Sequence, residues 1–172
     1  MSTSRTRMIV LVGGLAMGGC VLPPPPGAPV PPRVEVLASD ARAARYGTGA
    51  SQMFEHPALR DRVRALFGAD WSDRRARWLS APAPVFFAKS SPPRMLRIGN
   101  ADWIAVIGCA PTATHRGLLL VSADGERLFA RIDEGGATHD YGFGPGMASA
   151  LGAHDRVMVD AAWRALESEF VG

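Results

Sequence analysis

Residues 103–134 decide the fold, and they read Trp103-Ile-Ala-Val-Ile-Gly-Cys-Ala-Pro-Thr-Ala-Thr-His-Arg-Gly-Leu-Leu-Leu-Val-Ser-Ala-Asp-Gly-Glu-Arg-Leu-Phe-Ala-Arg-Ile-Asp-Glu134. Three apolar runs are separated by two polar segments. The second segment contains Asp124-Gly125, a pair that favours a hairpin because glycine adopts positive φ without steric cost. This pattern predicts two antiparallel strands at about 118–122 and 127–132, with a third over 103–109.

The first polar segment, residues 109–116, is the candidate recognition loop. It is longer than the Asp-Gly turn and contains a proline, two threonines, a histidine and an arginine. A polar loop held by rigid strands is a common place for binding residues. The candidate target-binding residues of this loop are Cys109, Pro111, Thr112, Thr114, His115 and Arg116.

Helical patterns lie on both sides of the predicted strands. Pro57 suits a first helical turn, and Leu59, Val63, Leu66 and Phe67 follow at the spacing of one helix face. A short second helix is predicted from Ser72 to Leu79, with Trp71 and Trp78 facing the core. Near the C-terminus, Asp155 is the predicted N-cap of a helix whose inner face carries Val159, Trp163, Leu166 and Phe170.

Two further strands are predicted before the central stretch. Val85-Phe86-Phe87-Ala88 is apolar and lies between prolines, which favours an edge strand. Residues 94–98 alternate and are followed by Gly99-Asn100, a hairpin turn. A short strand is also predicted near Tyr141. Together these patterns predict a single α+β domain over 34–172, an antiparallel β meander packed against flanking helices.

The N-terminus has the features of a targeting signal. Arg5 and Arg7 precede a short apolar run, residues 8–17, which is too short to span a bilayer. Gly18-Gly19-Cys20 then resembles a bacterial lipoprotein signal, which implies a signal peptide over 1–19 and a lipidated (palmitate-bearing) Cys20. The alternatives are an ordinary cleaved signal or a buried N-terminal element. By resemblance to enteric lipoproteins, Val21 after the cysteine favours the outer membrane, with the domain in the periplasm or at the cell surface.

Residues 20–33 follow as the lipidated cysteine and a proline-rich tether. Proline at this density excludes helix and sheet ladders and favours an extended polyproline II conformation. At about 3.1 Å per residue, such a tether holds a domain roughly 40 Å from the lipid surface. Plain disorder without a spacing role is the alternative.

Charge excludes a nucleic-acid partner. The chain of 172 residues has 19 basic and 16 acidic residues, and Arg5 and Arg7 lie in the expected signal peptide. The remaining 17 basic residues nearly balance the acidic ones, so the mature chain has no basic footprint for nucleic acid.

Neither a metal site nor a cofactor is expected. The four histidines, His56, His115, His139 and His154, are scattered and lack ligand spacing with a cysteine. The Gly142-Phe-Gly144-Pro-Gly146 run is too interrupted by proline to hold phosphate, and the Gly-x-Ser-x-Gly motif of serine hydrolases is missing.

Cys109 leaves three interpretations open. With Cys20 acylated, Cys109 has no partner within the chain and is a half-buried free thiol. An intermolecular disulfide would give a homodimer in the oxidising envelope. A thiol nucleophile with His115 is the third interpretation, although a strand before the cysteine does not lower a thiol pKa as a helix N-terminus does.

The central stretch resembles the inhibitor of vertebrate lysozyme (Ivy) family. The resemblance is carried by Cys109-Ala-Pro111 after a Trp-x-x-Val strand, by Leu-Leu-Val-Ser122, and by Leu128-Phe129-Ala-x-Ile132-Asp133-Glu134. It covers about residues 101–135 and extends more loosely back through Trp78, Pro84 and the Gly99 turn. The C-terminal helix has no counterpart in it.

Membership of this family implies a non-enzymatic inhibitor. The family's loop, closed by a disulfide, enters the lysozyme cleft, and a loop histidine bonds the catalytic carboxylates. In this chain Thr112 stands at the position of that histidine and Thr114 at that of the second cysteine. His115, three residues later, is the candidate donor, with Arg116 as a second one.

The target implied is a host lysozyme or the cell's own murein-cleaving enzyme. The alternative is a non-inhibitory envelope binding or structural lipoprotein of the same fold.

Overall fold

The computed structural model describes residues 29–72, 78–111, 114–146 and 151–168. Within these ranges the chain forms a seven-stranded antiparallel sheet with the strand order β1-β3-β4-β5-β6-β7, and β2 pairs with β4 beyond the end of β3. The strands are β1 Val34–Leu37, β2 Lys89–Ser90, β3 Arg94–Ile98, β4 Ala101–Cys109, β5 Arg116–Ser122, β6 Leu128–Asp133 and β7 Thr138–Phe143.

In the described part of the chain, three α-helices and three 3-10 helices accompany the sheet. The α-helices are α1 Ala50–Glu55, α2 Arg60–Phe67 and α3 Ala153–Leu166, and the 3-10 helices are Ala41–Tyr46, Gly68–Trp71 and Ala83–Phe87. The predicted α+β class, with a meander between flanking helices, is confirmed. No helix among the described residues is long and apolar enough to cross a membrane.

The sheet is buried on both faces. Alternate residues of β4 and β5, such as Val106 and Leu119, pack under the helices that lie between β1 and β2 in the chain. Their neighbours, such as Ile107 and Leu118, pack under α3. Because both faces are covered, these strands are continuous apolar runs and do not alternate with polar residues.

The predicted Asp124-Gly125 turn joins β5 to β6. Gly125 adopts φ +77°, and its N–H donates to the Ser122 carbonyl at 2.8 Å. Hydrogen bonds from Ser122 and from the Glu126 backbone hold the pKa of Asp124 below its usual range. The Gly99 turn between β3 and β4 is likewise confirmed, with φ +61° at Gly99.

The predicted strand over Val85–Ala88 was wrong, because residues 83–87 form a 3-10 helix. Gly108 and Gly117 are paired across β4 and β5 and leave the sheet without side chains at that point. A Cβ on Gly108 would lie 2.7 Å from the Phe87 Cα, and one on Gly117 would lie 2.6 Å from the Phe87 ring. The two glycines therefore admit the 3-10 helix into close contact with the sheet.

Two helix predictions also need correction. Trp78 does not face the core but is 84% exposed, whereas Trp71 packs against the core. The predicted helix over Ser72–Leu79 lies largely outside the described residues. Gly152, not Asp155, is the N-cap of α3, and Asp155 lies in its first turn. Phe170 lies beyond the described residues.

The ends of the strands define two poles of the domain. The proximal pole is the end of the sheet at Val34, where the N-terminal segment enters and the Gly99 N–H donates to the Arg33 carbonyl at 3.0 Å. The distal pole is the end at Cys109, Arg116, Asp133 and Thr138. The nine residues of β4 separate the poles by about 27 Å. The candidate loop is thus at the opposite end of the sheet from the N-terminal segment.

Candidate functional site at the distal pole

The candidate loop is a short, closed hairpin tip. Cys109 pairs with Arg116 at the end of the β4–β5 ladder, and the Ala110 N–H donates to the His115 carbonyl at 2.8 Å. Among the described residues of the loop, Pro111 and Thr114 lie beyond this last backbone bond. Pro111 and Thr114 are exposed, and Thr112 lies outside the described residues.

His115 and Arg116 lie on opposite faces of the sheet. The His115 ring meets the Phe86 ring edge-on, with centroids 5.7 Å apart, on the face covered by the N-terminal helices. The Arg116 guanidinium lies 5.5 Å from the ring centroid of Trp163 on the α3 face. Neighbouring residues of an extended chain alternate between faces, so these two donors diverge.

Arg116 is held in a charged network on the α3 face. It forms an ion pair with Asp133 at 2.9 Å, while Arg131 lies over the same Trp163 ring at 5.9 Å. Arg131 in turn pairs with Asp140 at 2.7 Å and Asp160 at 3.0 Å. Hydrogen bonding to Asp140, the largest cause, raises the pKa of Arg131. This network joins β5, β6, β7 and α3 and has the character of a structural brace.

Cys109 is a half-buried free thiol. Cys109 lies two residues after Ile107 on the same strand and therefore on the same face of the sheet, and Ile107 packs in the core under α3. Cys109 therefore belongs to the α3 face, and the His115 ring belongs to the other. This divergence does not favour a thiolate–imidazole pair.

Glu134 is the charged centre of the site on the His115 side. The Ser80 N–H donates to one carboxylate oxygen of Glu134 at 2.9 Å, and the Ser80 hydroxyl donates to the same oxygen. The His139 Nε2 lies 3.3 Å from the other oxygen. Burial alone would raise the pKa of Glu134, but the Ser80 hydrogen bonds and the nearby His139 and His115 together lower it below its usual value.

Asp70 is a buried carboxylate that holds the chain leading into Ser80. Its side chain accepts the Trp78 N–H at 2.5 Å and the Leu79 N–H at 3.1 Å. It also accepts the Tyr141 hydroxyl at 3.1 Å, and Asp70 itself is only 2% exposed. Asp70 was not recognised in the sequence. The available signal was its position between Phe67 and Trp71, because a carboxylate buried among aromatic residues needs several donors.

Within the described ranges, no group of three or more histidine, cysteine or acidic side chains is arranged to hold a metal ion. The distal pole instead presents an exposed hairpin tip, a histidine beside a carboxylate, and an exposed tryptophan on a pinned backbone. Comparisons of the chain with protein-family models, curated proteins and solved structures found no significant match.

Proposed function

We propose that this protein is an envelope lipoprotein that inhibits a lysozyme-type glycosidase. In this proposal the 109–116 loop enters the active cleft of the target, and the domain has no catalytic activity of its own. The observation that carries the proposal is the exposure of Pro111 and Thr114 beyond the Ala110–His115 backbone bond, at the pole opposite the N-terminal segment. The proposal is also supported by the resemblance of residues 101–135 to the inhibitor of vertebrate lysozyme family.

The physical basis is the chemistry of the target. Lysozyme works with two carboxylates of different pKa in one cleft. A hairpin tip that is already closed loses little conformational entropy on binding. His115, directly behind the tip, supplies an imidazole donor for those carboxylates.

The anchor is part of the same proposal. Cys20 carries lipid in the outer membrane, and residues 21–33 space the domain from the surface. The Cys20→Ser variant should lose its lipid label and leave the membrane fraction, because one polar side chain replaces the acylated residue. Membrane fractionation with metabolic lipid labelling measures this. Unchanged fractionation and an undiminished label would refute the anchor.

The alternative function, a non-inhibitory binding or structural lipoprotein, is favoured by one specific observation. Arg116 is engaged with Asp133 and Trp163 on the α3 face and diverges from His115. A pair of donors aimed at two carboxylates is therefore reduced to His115, which is itself half-buried behind the tip. A domain that binds without blocking a catalytic cleft needs neither donor.

The His115→Ala variant distinguishes the two functions. If His115 makes the central contact, its truncation should weaken inhibition on the order of thirtyfold, the scale of an interface hot spot. The measurement is a titration of the full chain, purified in a non-ionic detergent, against several lysozymes and lytic transglycosylases. His154→Ala is the matched control, because His154 is exposed at the start of α3. If wild type inhibits no enzyme of the panel, the alternative function is supported. If His115→Ala inhibits as strongly as wild type, His115 has no part in the mechanism.

A further inference from the structure

Trp78 stands apart from the other aromatic side chains of the domain. Its side chain is 84% exposed, whereas every other tryptophan, tyrosine and phenylalanine that the structure describes is buried or half-buried. An indole left in water forgoes a large burial free energy that the other rings obtain from the core. Exposed tryptophans of this kind are enriched among the residues that dominate protein interfaces.

The backbone that carries Trp78 is fixed. The N–H groups of Trp78 and Leu79 both donate to the buried carboxylate of Asp70. The Leu79 side chain is buried in the core, and Ser80 is bonded to Glu134 through its N–H. Trp78 is therefore presented from an ordered segment, so that a partner loses little entropy in ordering it.

Contacts at the distal pole connect this segment with the hairpin tip. Ser80 is bonded to Glu134, which directly follows β6. The next residue, Gly135, is so close to the tip that a Cβ on it would lie 3.5 Å from the Thr114 carbonyl oxygen. Segment 78–80, the β6–β7 turn and the loop thus form one surface.

We infer that Trp78 is the aromatic anchor by which this surface binds the glycosidase, inserting into an apolar pocket beside the cleft that the loop enters. This inference rests on the proposed function and deepens it, because it assigns the recognition of the partner to a residue outside the loop. The surface then has two contacts on different elements, the hairpin tip and the indole.

The chemistry around Trp78 favours a protein partner over a glycan. A sugar stacked on an indole also needs polar groups for its hydroxyls, and the two described carboxylates that bond segment 78–80 are already engaged. Asp70 accepts three hydrogen bonds and is buried, and Glu134 is bonded by Ser80 and His139. The exposed tip residue Pro111 likewise offers shape and apolar contact, which suits a protein surface.

The test compares Trp78→Ala and Trp78→Phe with wild type. The full chain in a non-ionic detergent is titrated by calorimetry against the panel of lysozymes and lytic transglycosylases. Truncation to alanine should weaken binding on the order of thirtyfold, and phenylalanine should restore most of it, because a ring still fills the pocket. Val85→Ala is the matched control, as it truncates an exposed apolar side chain on the 83–87 helix and should leave binding unchanged. Thermal unfolding of each variant should match wild type, since the indole is outside the core.

The outcomes separate this inference from the proposed function. If wild type binds an enzyme of the panel and Trp78→Ala binds it equally well, the role of Trp78 as aromatic anchor is refuted and the inhibitor proposal stands. If wild type binds none, both are overturned. A third outcome is that wild type is retained on purified murein and Trp78→Ala is not, while the two bind the enzyme equally well. This result would assign Trp78 to glycan binding and overturn the inference.

Discussion

The Asp70→Ala variant should lose about 3 kcal/mol of the free energy of unfolding, because three donors in or near the core lose their acceptor. The donors are the backbone N–H groups of Trp78 and Leu79 and the hydroxyl of Tyr141. For a domain of this size the melting temperature should fall by about 10 °C. Segment 78–80 should become more mobile at the same time, since two of its backbone anchors are removed.

Thermal and urea unfolding measure the loss, and Asp61→Ala is the control. The Asp61 side chain is 81% exposed on α2, so its truncation should change stability by less than about 0.5 kcal/mol. Equal melting of the two variants would mean that the Asp70 hydrogen bonds contribute nothing net.

Tyr141 provides a second measurement of the same pair. Burial, and then the negative charge of Asp70, raise the pKa of the Tyr141 phenol well above its usual value. The folded state therefore keeps this proton where the unfolded chain loses it, so stability is retained below about pH 10 and falls as the pH rises further. In Asp70→Ala the pKa of Tyr141 should move downward, although burial still raises it. Tyrosinate absorbance is followed against pH in wild type and in Asp70→Ala. In each case the same protein carrying Tyr141→Phe is subtracted, so that the remaining signal belongs to Tyr141.

Gly108→Ala should destabilise the domain by about 3 kcal/mol, the upper range for overpacking a close contact. The added Cβ would lie 2.7 Å from the Cα of Phe87, a backbone atom that no side-chain rotation can remove. The 83–87 helix must then move off the sheet. Because Phe86 of that helix contacts the His115 ring, the displacement should also disturb the candidate site.

Gly136→Ala is the matched control for this prediction. Gly136 lies in the β6–β7 turn, and a Cβ there would meet nothing within 4 Å. Its melting temperature should stay within about 2 °C of wild type, whereas Gly108→Ala should melt roughly 10 °C lower. Similar melting of both alanine variants would contradict the close approach of the helix to the sheet.

The meander could be predicted because its information is local. The Asp124-Gly125 and Gly99-Asn100 turns mark hairpins, and the apolar runs between them are long enough for strands buried on both faces. β1 could not be predicted in this way. It is a four-residue strand whose partner, β3, lies about 60 residues later, and no adjacent turn specifies the pairing.

The Val85–Ala88 prediction failed because a short apolar run does not distinguish a strand from another buried element. What decides its conformation is the gap that Gly108 and Gly117 leave on the sheet, a contact between segments far apart in sequence. The prediction that Trp78 faces the core failed for a related reason. Large aromatic side chains are usually buried, and a local sequence pattern does not reveal the exceptions.

At the candidate site, the position of the loop was predictable and its geometry was only partly so. The divergence of His115 from Arg116 had a signal in the sequence, because adjacent residues at the start of a strand point to opposite faces. The partners of Arg116, Asp133 and Trp163, come from two other elements, and no local pattern specifies them.

The entry of the chain through β1 determines how the domain carries mechanical load. A pull between the N-terminal segment and a partner gripped at the distal pole acts along the strand axes. It would strain the four register pairs of β1 and β3, from Val34–Ile98 to Leu37–Met95, in shear and simultaneously. A ladder loaded in shear resists rupture better than one peeled open pair by pair. Forced unfolding is governed by the unfolding rate under load, so this edge strand would act as the clamp between the N-terminal segment and the distal pole.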